Sequence, residues 1–286
     1  MSAQSSTAMN FGKRRRKGTR LCCGGARIAA LHLGVGALLV ACHAGQIAPQ
    51  ATPTSGTAAG ERAYHPPPRI VSAYPGPSAI VVDGLATAGA TIRVATPRGS
   101  VMVTRAGRDG RWRLIIERST NVRLFGLAMI EGGRTVQSEG YLAIPPSGPA
   151  AQLRAGSGAM VFAPGAPVPQ LLAVDYDGKG GAVVSGTAPP GAPVTLSVDG
   201  ARRDKGSADP QGRFSVALDE PPFAGGHSLA VAAAGSQSQV SLPEDSIALR
   251  QPPFEASPSG GGWRIVWMTP GGGLQATLLL ASGGRS

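Results

Sequence analysis

Short alternations of apolar and polar residues run along the chain from about residue 68 onward. In the run 90–96, Ile92 and Val94 alternate with more polar neighbours, and the run 111–117 alternates in the same way around Trp112. A period of two places every second side chain on the same face of a strand. No stretch after residue 41 sustains the 3.6-residue period of a helix, so the pattern predicts an all-β fold.

The alternating pattern occurs twice, at an offset of 102 residues. Residues 79–94 align without a gap on 181–196, and Gly110 to Leu114 then align on Gly212 to Val216. The 42 glycines and 25 prolines of the 286-residue chain cluster between the strands, where turns need them. We expect two modules, at 68–146 and 168–246. Each should hold about seven strands, the number typical of a β-sandwich.

Turn and core motifs of the second copy carry a family resemblance. Gly-Thr-Ala-Pro-Pro-Gly-Ala-Pro-Val at 186–194 is followed by Ala-Asp-Pro-Gln-Gly-Arg-Phe at 208–214, with weaker copies at 84–92 and 106–112. These motifs resemble bacterial immunoglobulin-like domains, which recur in surface and adhesion proteins. The resemblance implies two tandem Ig-like β-sandwiches. The offset of 102 places Trp112 and Phe214 at equivalent positions, and we expect both in the core. A carboxypeptidase-regulatory or transthyretin-like sandwich is the alternative.

The N-terminal segment has the pattern of an export signal. Seven basic residues and no acidic residue precede the apolar run 28–41, which is too short to span a membrane as a helix. The run ends in Leu39-Val40-Ala41-Cys42, which resembles the lipobox of bacterial lipoproteins. That resemblance implies a signal peptide at 1–41 and a lipid anchor on Cys42. Secretion by cleavage after Ala44, or an uncleaved or cytoplasmic protein, are the alternatives.

Three segments outside the repeats are rich in glycine and proline. We expect a flexible tether at 42–67, a linker at 147–167, and a linker followed by a β-hairpin at 247–286. Trp263 and Trp267 lie four apart in the first hairpin strand and therefore on one face. This face either packs on the second module or contacts a protein partner or sugar rings.

Charge and motif content restrict the function classes. The chain carries a formal charge of +11, but the part after residue 41 has 20 basic and 16 acidic residues and a charge of only +4. Its arginines are dispersed, which is not the footprint of a nucleic-acid-binding protein. The part after residue 41 contains no recognisable catalytic motif. We therefore expect no enzyme activity, no cofactor and no nucleic-acid partner.

One acidic cluster is a candidate for a cation. Asp175 and Asp177 alternate before Gly178, as in loops that wrap calcium. The same residues are common in ordinary β-turns, which is the stronger interpretation.

These observations favour a non-catalytic envelope lipoprotein. We expect it to be held on the membrane through Cys42 at the periplasmic face or the cell surface, with Ig-like modules that act as scaffold, spacer or protein-binding unit. An envelope protein is the expected partner. The alternative is a surface adhesion protein that binds polysaccharide or matrix through Trp263 and Trp267.

Overall fold

The computed structural model describes residues 65–280 except 77, 166, 178, 180, 220–225 and 243–246. The expected signal peptide, Cys42 and nearly all of the expected tether lie outside the described residues. Every regular element within them is a β-strand, and all strand pairs are antiparallel, so the prediction of an all-β fold is confirmed. No helix in the described part of the chain is long and apolar enough to cross a membrane.

The first repeat contains seven strands. They are β1 (Arg69–Pro75), β2 (Ala79–Leu85), β3 (Thr91–Ala95), β4 (Val101–Arg105), β5 (Arg111–Glu117), β6 (Arg123–Glu131) and β7 (Arg134–Ile144). Strands β1-β2-β5 form one sheet, and β4-β3-β6-β7 lie in the other. The inward faces of the two sheets share one hydrophobic core, as expected of a sandwich.

The second repeat has the same plan. Its strands are β10 (Gln170–Asp177), β11 (Ala182–Thr187), β12 (Pro193–Val198), β13 (Ala201–Ser207), β14 (Arg213–Leu218), β15 (His227–Ala233) and β16 (Ser236–Leu242). The order β14-β11-β10 repeats that of β5-β2-β1, and β13-β12-β15-β16 repeats β4-β3-β6-β7. A second core lies between these sheets. The prediction of two tandem β-sandwiches is confirmed.

An aromatic ring lies over a glycine at the same position of each core. Trp112 pairs with Gly84 across β2 and β5, and Phe214 pairs with Gly186 across β11 and β14. A methyl group on either glycine would overlap the ring opposite. Both aromatics are buried, so each core is closed by a large ring that only glycine leaves room for.

One glycine turn is also conserved between the repeats. Gly110 and Gly212 have φ of +76° and +75°, and their carbonyls each accept a 2.9 Å hydrogen bond, from the N–H of Ala86 and of Ala188 respectively. Left-handed backbone of this kind favours glycine because it has no Cβ. The offset of 102 therefore reflects repeated backbone geometry as well as repeated core residues.

The segments expected to be linkers contain strands that extend the sheets. Within 147–167 lie β8 (Ala151–Leu153) and β9 (Met160–Val161), which continue the first repeat's sheet beyond β7. The segment after 247 contains β17 (Phe254–Ser259) before the hairpin of β18 (Gly262–Met268) and β19 (Leu274–Leu279). These runs are short and interrupted by glycine and proline. Their strand structure comes from pairing with a neighbouring edge.

Candidate functional site at the junction of the repeats

The C-terminal unit, defined as β17 to β19, adds three strands to the second repeat. Strand β19 pairs with β10, from Ala173 opposite Leu279 to Asp177 opposite Gln275. The hairpin tip is closed by a 2.8 Å hydrogen bond from the N–H of Thr269 to the carbonyl of Gly273. The hairpin is thus an intramolecular extension of the sheet, which is one of the two outcomes expected for it.

A third hydrophobic core lies between the C-terminal unit and the first repeat. Its buried members come from β6 to β9, from the strands β10, β18 and β19, and from the residues beside them: Val122, Leu124, Ala143, Ala151, Leu153, Ala159, Val161, Leu172, Ala173, Ile265, Trp267 and Leu279. Because both repeats contribute to it, the third core joins them. The described residues between 65 and 280 accordingly lie in one compact unit.

Trp267 lies at the centre of the third core. Its relative exposure is 0%, and its ring meets that of Tyr141 from β7 edge to face, with centroids 5.6 Å apart and planes at 84°. This geometry is favourable for aromatic pairs. Its Nε1 donates to Thr277 Oγ1 at 3.1 Å, so the polar atom of the indole is satisfied as well.

Trp263 lies on the same face of β18 and is partly buried against the third core. The two tryptophans expected to contact a protein partner or a sugar are therefore brought together, but against the protein's own interior. The ring of Trp267 is closed to any ligand in this arrangement, and Trp263 offers only part of its surface.

A buried carboxylate fastens three segments at the junction. Asp175 Oδ1 accepts hydrogen bonds from Thr277 Oγ1 at 2.5 Å and from Gln275 Nε2 at 3.1 Å, and Oδ2 accepts one from the N–H of Ala159 at 2.6 Å. Thr277 and Gln275 belong to β19, whereas Ala159 belongs to the segment that follows β8. A buried carboxylate needs such donors because they replace the hydrogen bonds that water would otherwise make to it.

Burial sets the titration of this carboxylate. It raises the pKa of Asp175 from 3.8 to about 6, against the opposing effect of the hydrogen bonds from Thr277, Ala159 and Gln275 and of the charge on Arg154. Asp175 is thus mostly ionised at neutral pH and held by its donors.

The crossing segment, defined as residues 154–161, lies on the outer face of the β14-β11-β10 sheet. Ser215 Oγ donates to the carbonyl of Ser157 at 3.1 Å, and Arg154 Nε donates to the carbonyl of Gly158 at 3.0 Å. A Cβ on Gly158, whose φ is +75°, would lie 2.7 Å from both Ser185 Oγ and Val183 Cγ1. Only glycine therefore allows the segment to approach the sheet this closely.

The oxygens of the acidic pair serve as acceptors of hydrogen bonds. Asp177 Oδ1 accepts from the N–H groups of Lys179 at 2.9 Å and Gly181 at 2.8 Å, which closes a local turn. Asp175 has the three donors described above. Among the described residues, no three His, Cys, Asp or Glu side chains lie close enough together to hold a metal ion. The contacts of this pair are those of a turn and a buried network.

Sequence reasoning missed Asp175 as a structural group and missed the crossing segment altogether. A signal for Asp175 does exist, because it follows the apolar run from Leu171 to Val174 and precedes Tyr176 in an otherwise buried strand. The crossing segment has no such signal, since its glycine, serine and alanine residues are also typical of a linker.

Comparison with known proteins identifies the second repeat. Residues 163–249 match the family model described as bacterial Ig domain. The second repeat is a bacterial Ig domain. The first repeat has the same strand order and the same turn and core glycines, so the two are tandem Ig-like domains. No curated protein matches the chain.

Several solved structures resemble parts of the chain at low sequence identity. They include the BSP domain of a biofilm-associated protein (16% identity, TM-score 0.22, covering 62% of this chain and 29% of that one). A central fibronectin-III array of RIM-binding protein has 13% identity and a TM-score of 0.23, covering 77% of this chain and 88% of that one. A structure concerning host cell surface retention of a bacterial ice-binding adhesin has 16% identity and a TM-score of 0.20, covering 61% of both chains. The chain thus spans less than two thirds of the first and third of these, and TM-scores this low support no argument about function.

Proposed function

We propose that this protein is a lipid-anchored envelope protein whose two Ig domains form a stiff spacer. The bacterial Ig domain favours a non-catalytic scaffold or adhesion role at or outside the cell envelope. The basic, then apolar, N-terminus that ends at Cys42 supports a lipid anchor on that cysteine, and the following segment would separate the anchor from the first domain.

One observation supports the spacer role. The third core takes residues from both domains and from the C-terminal unit, and the Asp175 network fastens three segments around it. Tandem domains that meet through a small polar interface move relative to each other by default, whereas a large apolar interface holds them in one arrangement. A fixed arrangement is useful where a partner has to be presented at a set distance from the membrane.

Distance measurements between spin labels test the stiffness. Arg98 and Lys205 are exposed residues, one in each domain, so R98C and K205C would carry the labels in a full-length chain with Cys22, Cys23 and Cys42 replaced by Ser. We expect a single narrow distance distribution, which broadens when W267A removes the centre of the third core. A broad distribution in the labelled chain with Trp267 intact contradicts the spacer role.

Fractionation tests the anchor. C42S should release the protein from the envelope pellet or leave it unprocessed, with no change in the folding of the two domains. C23S, a neighbouring cysteine before the expected cleavage point, is the matched control. If the C42S protein stays in the pellet with the same mature mass, Cys42 is not the anchor.

The surface-adhesion alternative receives no support from Trp267, because its ring is closed inside the third core. An envelope protein partner would therefore contact other surfaces of the two domains. Pull-down with envelope extract, using the stiff protein and W267A side by side, tests whether capture depends on the fixed arrangement.

A further inference from the structure

One outer surface of the first repeat combines exposed apolar side chains with arginines. It belongs to the sheet of β4-β3-β6-β7 and consists of Val101, Val103 and Arg105 of β4, Arg93 of β3 and Ile130 of β6, which together we call the β3-β4 face. Its three apolar side chains are between 37% and 60% exposed, so nothing in the described part of the chain covers them. Single exposed apolar residues are ordinary, whereas a group of them on one sheet face marks an interaction surface.

The strand register brings these residues side by side. Arg93 lies opposite Val103, and Thr91 lies between Arg105 on one neighbouring strand and Ile130 on the other. Directly paired residues have their side chains on the same face of a sheet, about 5 Å apart. Each arginine therefore has an exposed apolar neighbour, and the face is an open sheet surface.

The β3-β4 face has a net positive charge. Neither β3 nor β4 contains an acidic residue. Glu131 follows Ile130 and so points to the other side of β6, where its Oε2 lies 2.9 Å from His65 Nδ1. Asp109, in the turn after β4, has its Oδ2 3.6 Å from Arg111 Nε, and Glu139 is on β7, which β6 separates from β3. The turns and strand ends beside the face add basic residues of their own: Arg98, Arg108 and Arg134.

The two repeats differ in the sign of their charge. Residues 68–146 contain 10 basic and 5 acidic residues, a formal charge of +5, whereas 168–246 contain 5 basic and 9 acidic residues, a charge of −4. At the offset of 102, Thr195, Lys205 and Ala232 take the places of Arg93, Val103 and Ile130. The second repeat therefore lacks the apolar part of this face, and an anionic surface would attract the first repeat and repel the second.

The described chain begins beside the β3-β4 face. The contact of His65 with Glu131 places this point at the end of β6 that also carries Ile130. The proposed anchor, Cys42, comes 23 residues before His65, a length of chain that spans at most about 80 Å. Anchoring would hold the first repeat close to the bilayer, where even a weak contact forms because its effective concentration is high.

We propose that the β3-β4 face docks the first repeat on an anionic lipid surface, with Val101 and Val103 at the boundary of the acyl chains and Arg93 and Arg105 at lipid phosphates. The docking rests on the proposed envelope location but not on acylation of Cys42. Apolar side chains gain by leaving water at the bilayer interface, and basic residues add attraction to anionic lipid. A hydrophilic polyanion such as an acidic polysaccharide would meet the arginines but gain nothing from the valines, so the combination favours lipid. Docking here would set the orientation in which the spacer leaves the membrane.

Co-sedimentation with lipid vesicles tests the docking, with the chain 43–286. This chain keeps all the described residues and their three cores, and omits the basic and apolar N-terminal segment, which would bind membranes by itself. We expect binding at low salt to vesicles of equal parts phosphatidylcholine and phosphatidylglycerol, no binding to phosphatidylcholine alone, and release at high salt. Failure to bind the mixed vesicles at millimolar lipid overturns the proposal.

R93Q and K205Q separate the β3-β4 face from the charge of the whole protein. Each removes one positive charge from an exposed strand position, but only Arg93 lies on the face. R93Q should weaken binding to the mixed vesicles about fivefold, as expected for one basic residue at an anionic surface, and K205Q should leave it unchanged. Equal weakening by both would mean that net charge alone draws the protein to the vesicles, which contradicts the proposal.

V103W tests the apolar contact through a gain of binding, which loss of folding does not mimic. It should strengthen binding to the mixed vesicles about tenfold or more, because the indole adds apolar area at the bilayer interface. Q237W, at an exposed position of β16 in the second repeat, is the control and should bind as wild type does. The proposal is wrong if V103W binds the vesicles no better than wild type, or if the polar polyanion dextran sulfate binds wild type as tightly as the vesicles do. None of these outcomes bears on the anchor or the spacer role, which fractionation and the spin-label distances test.

Discussion

The two repeats share one fold but differ in what covers the sheet that contains β1 or β10. Among the described residues, β1 pairs only with β2, and the outer face beside it is open, with Tyr74 41% and Ile115 63% exposed. In the second repeat, β19 pairs with β10 and the crossing segment covers the outer face. The outer face of this sheet is thus exposed in the first repeat and forms part of the junction in the second.

A few outward residues account for this difference. The ion pair of Asp83 and Arg113 occupies the first sheet surface, whereas small Ser185 and Ser215 allow Gly158 to approach the second. Asp175 then provides acceptors for the N–H of Ala159 and for β19. Outward positions, which contribute little to the sandwich itself, decide which domain surface becomes an interface.

Removal of Trp267 is expected to have the largest effect on the difference between the two repeats. W267A takes a fully buried indole out of the third core and should cost about 3–5 kcal/mol of unfolding free energy. Strand β10 should then become as open as β1, with faster amide exchange along it. Chemical denaturation and hydrogen exchange measure both effects. M268A, at the adjacent exposed position of β18, is the control, and an equal loss in both variants would contradict a central role for Trp267.

The pH dependence of stability should differ in sign between Asp175 and Asp83. Burial raises the pKa of Asp175 from 3.8 to about 6 in the folded protein. The stabilisation that comes from its protonated form is fully present below about pH 4 and is lost as pH rises through 6, which lowers the free energy of unfolding by about 2–3 kcal/mol. The hydrogen bond from Arg113 lowers the pKa of Asp83. The stabilisation that comes from the ionised form of Asp83 is therefore present above pH 4 and is lost as pH falls further.

The melting temperatures of wild type, D175N and D83N from pH 3 to pH 8 measure the pH dependence of stability that each carboxyl group causes. D175N should remove the loss of stability between pH 4 and 6, and should also be less stable than wild type at pH 4, because its amide turns an N–H toward the N–H of Ala159. D83N should leave the loss of stability between pH 4 and 6 unchanged. Parallel pH profiles for wild type and D175N would show that Asp175 does not titrate as described.

Substitution of the core glycines tests how closely the two repeats correspond. G84A and G186A each place a methyl group against the aromatic ring of the neighbouring strand and against a backbone carbonyl, that of Arg69 or of Gln170, and should each cost about 1–3 kcal/mol. The two losses in thermal unfolding should be similar because the contacts are equivalent. G271A has open space around its Cβ and should be neutral. A large loss at Gly84 with none at Gly186 would mean that the second core adapts where the first does not.

The ion pair on the open face should give the smallest effect. R113S converts the first repeat's surface toward the serine found in the second, and exposed ion pairs contribute little because water and salt screen them. The melting temperature should change by no more than a few degrees, and by less at high salt. A loss as large as that of W267A would mean that Asp83 and Arg113 hold more of the sheet than their exposure indicates.

The sequence alone determined the repeated unit. Period-two alternation, the offset of 102, and the turn glycines identified both sandwiches, and Trp112 and Phe214 are the buried aromatics that the offset placed together. The hairpin of β18 and β19 was also readable, with its Thr269 to Gly273 tip. These features depend on neighbours in the chain, so local pattern and turn chemistry are enough to reveal them.

Only the tertiary structure decided how the repeats are joined. The contacts that make the junction link distant parts of the chain, since Ser215 and Ser157 are 58 residues apart, Thr277 and Asp175 are 102 apart, and Gln275 and Arg154 are 121 apart. No local period encodes which edge a short strand joins or which outward serine faces a glycine. Such choices follow from the packing of surfaces that exist only once both sandwiches have formed, because a short strand gains its stability from the edge it pairs with.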